Sequence, residues 1–142
     1  GHGHDFWRAA GTRADVMTTI GAVAERFGLA DALNERTADL PYGKQRLLEI
    51  AVAFACDPAV LLLDEPAAGV PEAERRELLQ TIADLPADVS VLLIEHDMDL
   101  VFSFARKISV LVNGALLKTG TASEIASDPE VRAVYLGEGA DG

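Results

Sequence analysis

Apolar positions recur at helical spacing soon after the chain begins. Val16, Ile20, Val23 and Phe27 lie four, three and four apart, a single stripe along a helix over residues 13–27, and Gly28 suits its end. A shorter segment, Leu29 to Leu33, leads into the polar stretch Asn34 to Asp39. Leu40-Pro41-Tyr42-Gly43 then opens a helix to about Ala55, with Leu47, Leu48, Ala51, Phe54 and Ala55 on its apolar face and Asp57-Pro58 as its stop. From Val60 to Leu63 the apolar run is continuous, which predicts a central strand buried on both faces.

Helical spacing returns from Pro71 to Leu85. Leu78, Leu79, Ile82 and Leu85 share one side, and Glu72 and Arg76 are four apart. Val89 to Ile94 predicts a second buried strand, followed by a short helix over about Asp99 to Ala105. Ile108 to Val112 and Ala115 to Lys118 flank Asn113-Gly114, a strong hairpin signal. Thr121 and Glu124 form a capping box for a helix starting near Ala122. Asp128-Pro129 opens a last helix carrying Val131, Val134 and Tyr135, and a frayed tail is expected after Gly137. Strands alternating with helices predict an α/β fold with a parallel core.

Composition narrows the function classes. Among 142 residues there are 12 basic and 23 acidic side chains, a net charge of −11. That balance repels phosphate backbones and argues against nucleic acid as a partner. No apolar run approaches the ~18 residues of a membrane span, and no secretory leader opens the chain. Cys56, the single cysteine, lies among Ala53, Phe54 and Ala55 and is expected to be a buried thiol. A reduced, cytoplasmic setting fits these features. His2 and His4 fall short of a metal site without further ligands.

Candidate chemistry collects where strands end. In α/β proteins ligand groups lie beyond the carboxyl ends of parallel strands. Asp64 and Glu65 occupy the first such end. Asp64 could hold a hard cation such as Mg²⁺, and Glu65 could orient or deprotonate a water; a helix cap or a solvated turn would use the same residues. Glu95-His96-Asp97 ends the second strand, where His96 could donate to a phosphate oxygen or serve as a structural hydrogen-bonder. Leu40 to Arg46 is a Gly-containing turn that opens a helix, with Lys44 and Arg46 adding positive charge. It reads as an anion site or as an ordinary helix start.

In this order these pieces resemble the nucleotide-binding subunits of ABC transporters. Leu40 to Arg46, continued by Leu47-Leu48-Glu49-Ile50-Ala51, is similar to the signature motif. Val60 to Pro66 resembles the Walker B strand with its glutamate, Ala67 to Val70 the D-loop, and Leu92 to Asp97 the switch-histidine strand. The Tyr-Gly signature, Glu95-His96-Asp97-Met98, and the ending Asp128 to Val131 through Tyr135-Leu136-Gly137 resemble the branch that imports branched-chain amino acids. The resemblance implies an ATPase using ATP and Mg²⁺. It would close head to tail with a second ATPase subunit and drive membrane permease subunits from the cytoplasmic face of the inner membrane. It also implies roles: Asp64 for Mg²⁺ through water, Glu65 for the attacking water, and His96 for the γ-phosphate. Tyr42, Gly43, Lys44 and Gln45 would cap ATP held by the opposite subunit.

The sequence departs from that family in four respects. Pro41 stands where the signature has Ser, and Pro71 where the D-loop has Asp or Asn. Both weaken the expected contribution to a partner's site. No G-x-x-x-x-G-K-[ST] phosphate loop occurs, and the Gln loop is missing. The chain therefore reads as the rest of a helical subdomain (1–42) and the second half of a P-loop core (43–142), a soluble fragment expected to bind ATP weakly alone. A non-catalytic assembly or regulatory module derived from such an ATPase is the second reading. The family's phosphate-loop strand would lie between the His96 strand and Ile108–Val112, so open edges and strand-exchanged oligomers are expected.

Overall fold

A computed structural model describes residues 13–135. The Gly1-His2-Gly3-His4 opening and the expected fraying after Gly137 lie outside the described residues. The described chain forms two compact units, one ending at Ile94 and the other beginning at Glu95.

The first unit begins with helix α1 (Arg13–Arg26). Gly28, at φ +63°, ends it, with Leu29 N–H donating to the Ala24 carbonyl at 2.7 Å and Gly28 N–H to Glu25 at 3.2 Å. These paired bonds satisfy carbonyls that the helix leaves open and need the left-handed backbone that glycine adopts freely. Two 3₁₀ turns (Ala30–Ala32 and Thr37–Asp39) lead to α2 (Tyr42–Phe54). Strand β1 (Val60–Asp64), helix α3 (Glu72–Ala83) and strand β2 (Ser90–Ile94) follow. The two strands pair in parallel, Val60 opposite Ser90 through Asp64 opposite Ile94. Phe27, Leu78 and Ile82 are fully buried in this unit, and the Phe27 and Phe54 rings meet at 5.5 Å.

Four expectations change here. The strands are not buried on both faces: Leu61 and Leu63 point into the core, whereas Val60, Leu62, Leu92 and Ile94 are exposed. A continuous apolar run marks a strand built to be covered twice, and among the described residues only one face is covered. Val16 and Ile20, on the apolar stripe of α1, are exposed as well. Cys56 is exposed, not buried, because it falls past the end of α2 beside exposed Ala53 and Ala55. Its thiol donates to the Val52 carbonyl at 3.6 Å. Glu72 pairs with Arg75 at 3.3 Å rather than with Arg76, since i,i+3 positions are also neighbours on a helix.

The second unit contains α4 (Met98–Phe104), β3 (Ile108–Val112), β4 (Ala115–Gly120), α5 (Ala122–Ser127) and α6 (Pro129–Tyr135). β3 and β4 pair antiparallel, turning at Asn113 (φ +50°) and Gly114 (φ +78°), the left-handed pair that a tight hairpin needs. Ile108, Val110, Ile125 and Val131 form its core, with Met98, Val101 and Phe102 packed against them. The capping box is present: Thr121 N–H donates to Glu124 Oε2 at 2.7 Å, and Glu124 N–H to Thr121 Oγ1 at 3.4 Å. Asp128 caps α6 through the Glu130 and Val131 N–H groups at 2.9 and 3.1 Å and pairs with Lys118 at 2.8 Å. Among the described residues the strands form two two-stranded sheets, β1 with β2 and β3 with β4.

Candidate functional site

β1 delivers both carboxylates to its carboxyl end. Asp64 is its last residue, exposed, on the open face beyond Leu62. Glu65 follows at φ +43°, a left-handed backbone uncommon for a side chain other than glycine, asparagine or aspartate. The turn is fixed from both sides: Glu65 N–H donates to the Ile94 carbonyl at 2.9 Å, and Ala68 N–H to the Glu65 carbonyl at 3.0 Å. Pro66 and Ala67 are buried beneath it. The turn thus holds Glu65 exposed beside the strand end. Backbone held in such a conformation costs about 1–3 kcal/mol and recurs where function requires it.

The signature turn is built differently. Pro41, at φ −52°, precedes the first turn of α2 without a side-chain cap, and its carbonyl accepts from Gln45 N–H at 3.1 Å. Gln45 Nε2 donates to the Leu40 carbonyl at 2.9 Å and so braces the turn from within. Gly43 is buried, and its N–H donates to Glu74 Oε2 at 2.7 Å. Tyr42 lies over Gly69 in the loop after β1, and the Arg46 guanidinium stands 5.3 Å from the Tyr42 ring. Lys44 donates to both Asp31 oxygens at 3.0 and 2.9 Å. That bond holds the Asp31 carboxyl below its ordinary pKa and raises the Lys44 amine above its own. Arg46 pairs with Glu49 at 2.7 Å. The positive charges expected beside the turn are therefore balanced locally. Sequence reasoning missed Glu74; the signal available was Pro41, which leaves the helix start needing an acceptor from elsewhere.

In the second unit His96 is exposed and lies one residue before Asp97. Asp97 caps α4 by accepting from Leu100 N–H at 3.2 Å. Among the described residues no three His, Cys, Asp or Glu side chains gather into a metal site. The exposed pair Asp64 and Glu65 at the strand end fits a cation that takes most of its oxygens from phosphates and water, as Mg²⁺ does.

Comparison with known proteins points to the family. A family model described as "ABC transporter" matches residues 8–68, across the signature turn and the Asp64-Glu65 pair. Over these residues the chain matches the ATP-binding family of ABC transporters. A second model, "Branched-chain amino acid ATP-binding cassette transporter", matches residues 119–141. The high-affinity branched-chain amino acid transport ATP-binding protein LivG of Salmonella typhimurium is 45% identical over 116 residues, 80% of this chain and 46% of that protein. BraF of Pseudomonas aeruginosa, of the same description, is 45% identical over the same shares. The chain thus spans about half the length of these relatives. Among solved structures, the ADP conformation of MJ1267, an ATP-binding cassette of an ABC transporter, superposes with TM-score 0.78 at 26% identity. The match covers 87% of this chain and 50% of that one. The fold alone is shared with cbiO1 of Clostridium perfringens, at TM-score 0.78 and 21% identity. The α/β reading agrees with the solved structures, and the branched-chain reading of the C-terminal ending agrees with the second family model.

Proposed function

We propose that this chain is the catalytic second half of an ATP-hydrolysing cassette that powers uptake of branched-chain amino acids. The observation that carries this reading is Glu65, held at φ +43° next to Asp64 at the end of a parallel strand. There Glu65 accepts the proton of, or orients, the water that attacks the γ-phosphate. For His96, in the second unit, a hydrogen bond to phosphate rests on the family resemblance alone. Asp64 would hold the Mg²⁺ that accompanies ATP, and that ion would neutralise phosphate charge. Tyr42, Gly43, Lys44 and Gln45 face nucleotide held by a second ATPase subunit. The printed names of LivG and BraF supply the solute class.

The boundary between the remainder of the helical subdomain and the core is placed at residues 42/43, where α2 starts. The whole assembly works at the cytoplasmic face of the membrane beside permease subunits. No helix among the described residues is long and apolar enough to cross a membrane. The open face of β1 and β2 is covered in the working state by the phosphate-loop half, and in its absence by a second copy of this chain.

The test mixes this chain with a polypeptide carrying the phosphate-loop half of such a cassette and follows Mg-ATP hydrolysis. The expected result is turnover that Glu65→Gln lowers by at least about 100-fold. Equal turnover by the variant would sink the catalytic role. For the chain alone, calorimetry is expected to show no micromolar Mg-ATP binding, because the phosphate-cradling N–H groups and lysine are not in its sequence. Pro41, which lacks a hydroxyl and an N–H, favours a second reading: an assembly module that no longer completes a partner's site. Turnover of the mixed assembly that rises on Pro41→Ser supports a weakened catalytic subunit. An assembly with no turnover in either form supports the module.

A further inference from the structure

A helix starts with N–H groups that have no partner inside it, and the residue before the first turn normally offers one of them a side-chain oxygen. In α2 that residue is Pro41, which has none. The Gly43 N–H is satisfied nonetheless, by Glu74 Oε2 at 2.7 Å, from a residue 31 positions away. Glu74 lies in the first turn of α3, just past the loop that follows Glu65. The fit is close: a Cβ on Gly43 would meet the Glu74 carboxylate and lie 2.9 Å from its Cβ. A second contact joins the same two segments. A Cβ on Gly69, itself at φ +72°, would come within 3.3 Å of Tyr42 Cε1.

We propose that Glu74 is a positioning residue for the signature turn. Its carboxylate caps α2 in place of the side chain that Pro41 lacks, and it ties that turn to the loop behind Glu65. An ionised acceptor on a helix N-terminus gains from both the charge-assisted bond and the helix dipole. The Tyr42–Gly69 contact makes the link two-point, so the turn and the loop shift together. What the turn is used for rests on the proposed ATPase function; the cap itself does not.

The experiment measures hydrogen exchange at the Gly43 amide by NMR on the 142-residue chain. It compares the native chain with Glu74→Ala, Pro41→Ser and the double variant. Glu74→Ala is expected to speed Gly43 exchange about tenfold, the size of a lost cap, while the Leu78 amide is unchanged. Pro41→Ser offers a hydroxyl to the same end of the helix, so in that background the effect of Glu74→Ala falls below about threefold. Glu74→Gln, which keeps an oxygen of equal reach, lies between native and Glu74→Ala; if the alanine variant does not fold, the glutamine variant in both backgrounds gives the same comparison. An unchanged Gly43 rate on losing the carboxylate, or the same acceleration with Ser at 41, overturns the proposal. An assembly that turns over no ATP counts against the proposed function and leaves this exchange result standing.

Discussion

The open face of the β1–β2 sheet makes a quantitative prediction about self-association. Val60, Leu62, Leu92 and Ile94 are 55%, 70%, 57% and 56% exposed, and the parallel register sets Leu62 directly opposite Leu92. Burying an aliphatic side chain fully is worth about 1.5–3 kcal/mol, so covering what these four leave exposed is worth about 5 kcal/mol. A two-fold contact uses the patch twice and doubles this to about 10 kcal/mol. Association costs about 4–15 kcal/mol in lost freedom; at the low end of that cost about 6 kcal/mol remains, so weak dimers are expected, with Kd from tens of micromolar to millimolar. The perturbation is Leu62→Lys with Leu92→Lys. Both positions are mostly exposed, so the melting temperature should change little. The substitutions bring the net charge from −11 to −9, which alone would favour association. A loss of association therefore isolates the face. Sedimentation equilibrium over a concentration series is the assay. Concentration-dependent mass in the native chain that disappears in the double variant is expected. A native chain that stays monomeric throughout, or a variant that associates equally, refutes the reasoning.

Other consequences are narrower. Ile125 is fully buried in the second unit, so Ile125→Ala should cost about 2–5 kcal/mol, read as a fall in urea midpoint by near-ultraviolet or NMR signals from that unit. Glu65→Gly should leave stability unchanged or raise it by up to about 1 kcal/mol, because glycine accepts φ +43° without strain. Glu65→Val should lower stability, and loss on Glu65→Gly would contradict a strained native backbone. Acid should loosen α5 and α6. The Lys118 ammonium holds Asp128 below its ordinary pKa, and the Thr121 N–H and hydroxyl do the same for Glu124. Folded carboxyls with lowered pKa contribute stability above their unfolded pKa and lose it as pH falls through the folded one. Amide protection in both helices should therefore drop below about pH 4, and Asp128→Asn should flatten that dependence in α6.

Much of the architecture was legible because each element carries its own signal. The spacing of Val23 and Phe27 with Gly28 marked α1 and its end, and Asn113-Gly114 placed the hairpin. Thr121 and Glu124 formed the expected box. The burial of β1 was misjudged for a physical reason. A run such as Val60 to Leu63 reports how many faces a strand is built to cover, not which covering layers accompany it. Cys56 went the same way, since neighbours in sequence at a helix end need not face the core. In the candidate site, the position of Asp64, Glu65 and His96 at strand ends followed from the pattern. The partners of the signature turn did not: Glu74 and Asp31 reach it from other elements, and no local spacing encodes that.

The two prolines that depart from the family pattern share one structural role. Pro41 and Pro71 each precede the first turn of a helix, at φ −52° and −55°, and each offers its carbonyl to that turn while giving no side-chain cap. Proline fixes φ in the unfolded chain as well as the folded one, so it lowers the entropy lost on forming these starts. Under the proposed function, the same ring leaves these positions without a side-chain oxygen to offer a partner's nucleotide. Under that proposal, pre-ordering of both turns is gained at the two positions where contribution to an opposite site is lost. Restoring Ser at 41 alone tests whether the exchange is reversible. Placing Asn at 71 as well is expected to raise the turnover of an assembled cassette further and to lower the melting temperature of this chain. Turnover that rises without any fall in melting temperature would show that the prolines do not stabilise these helix starts.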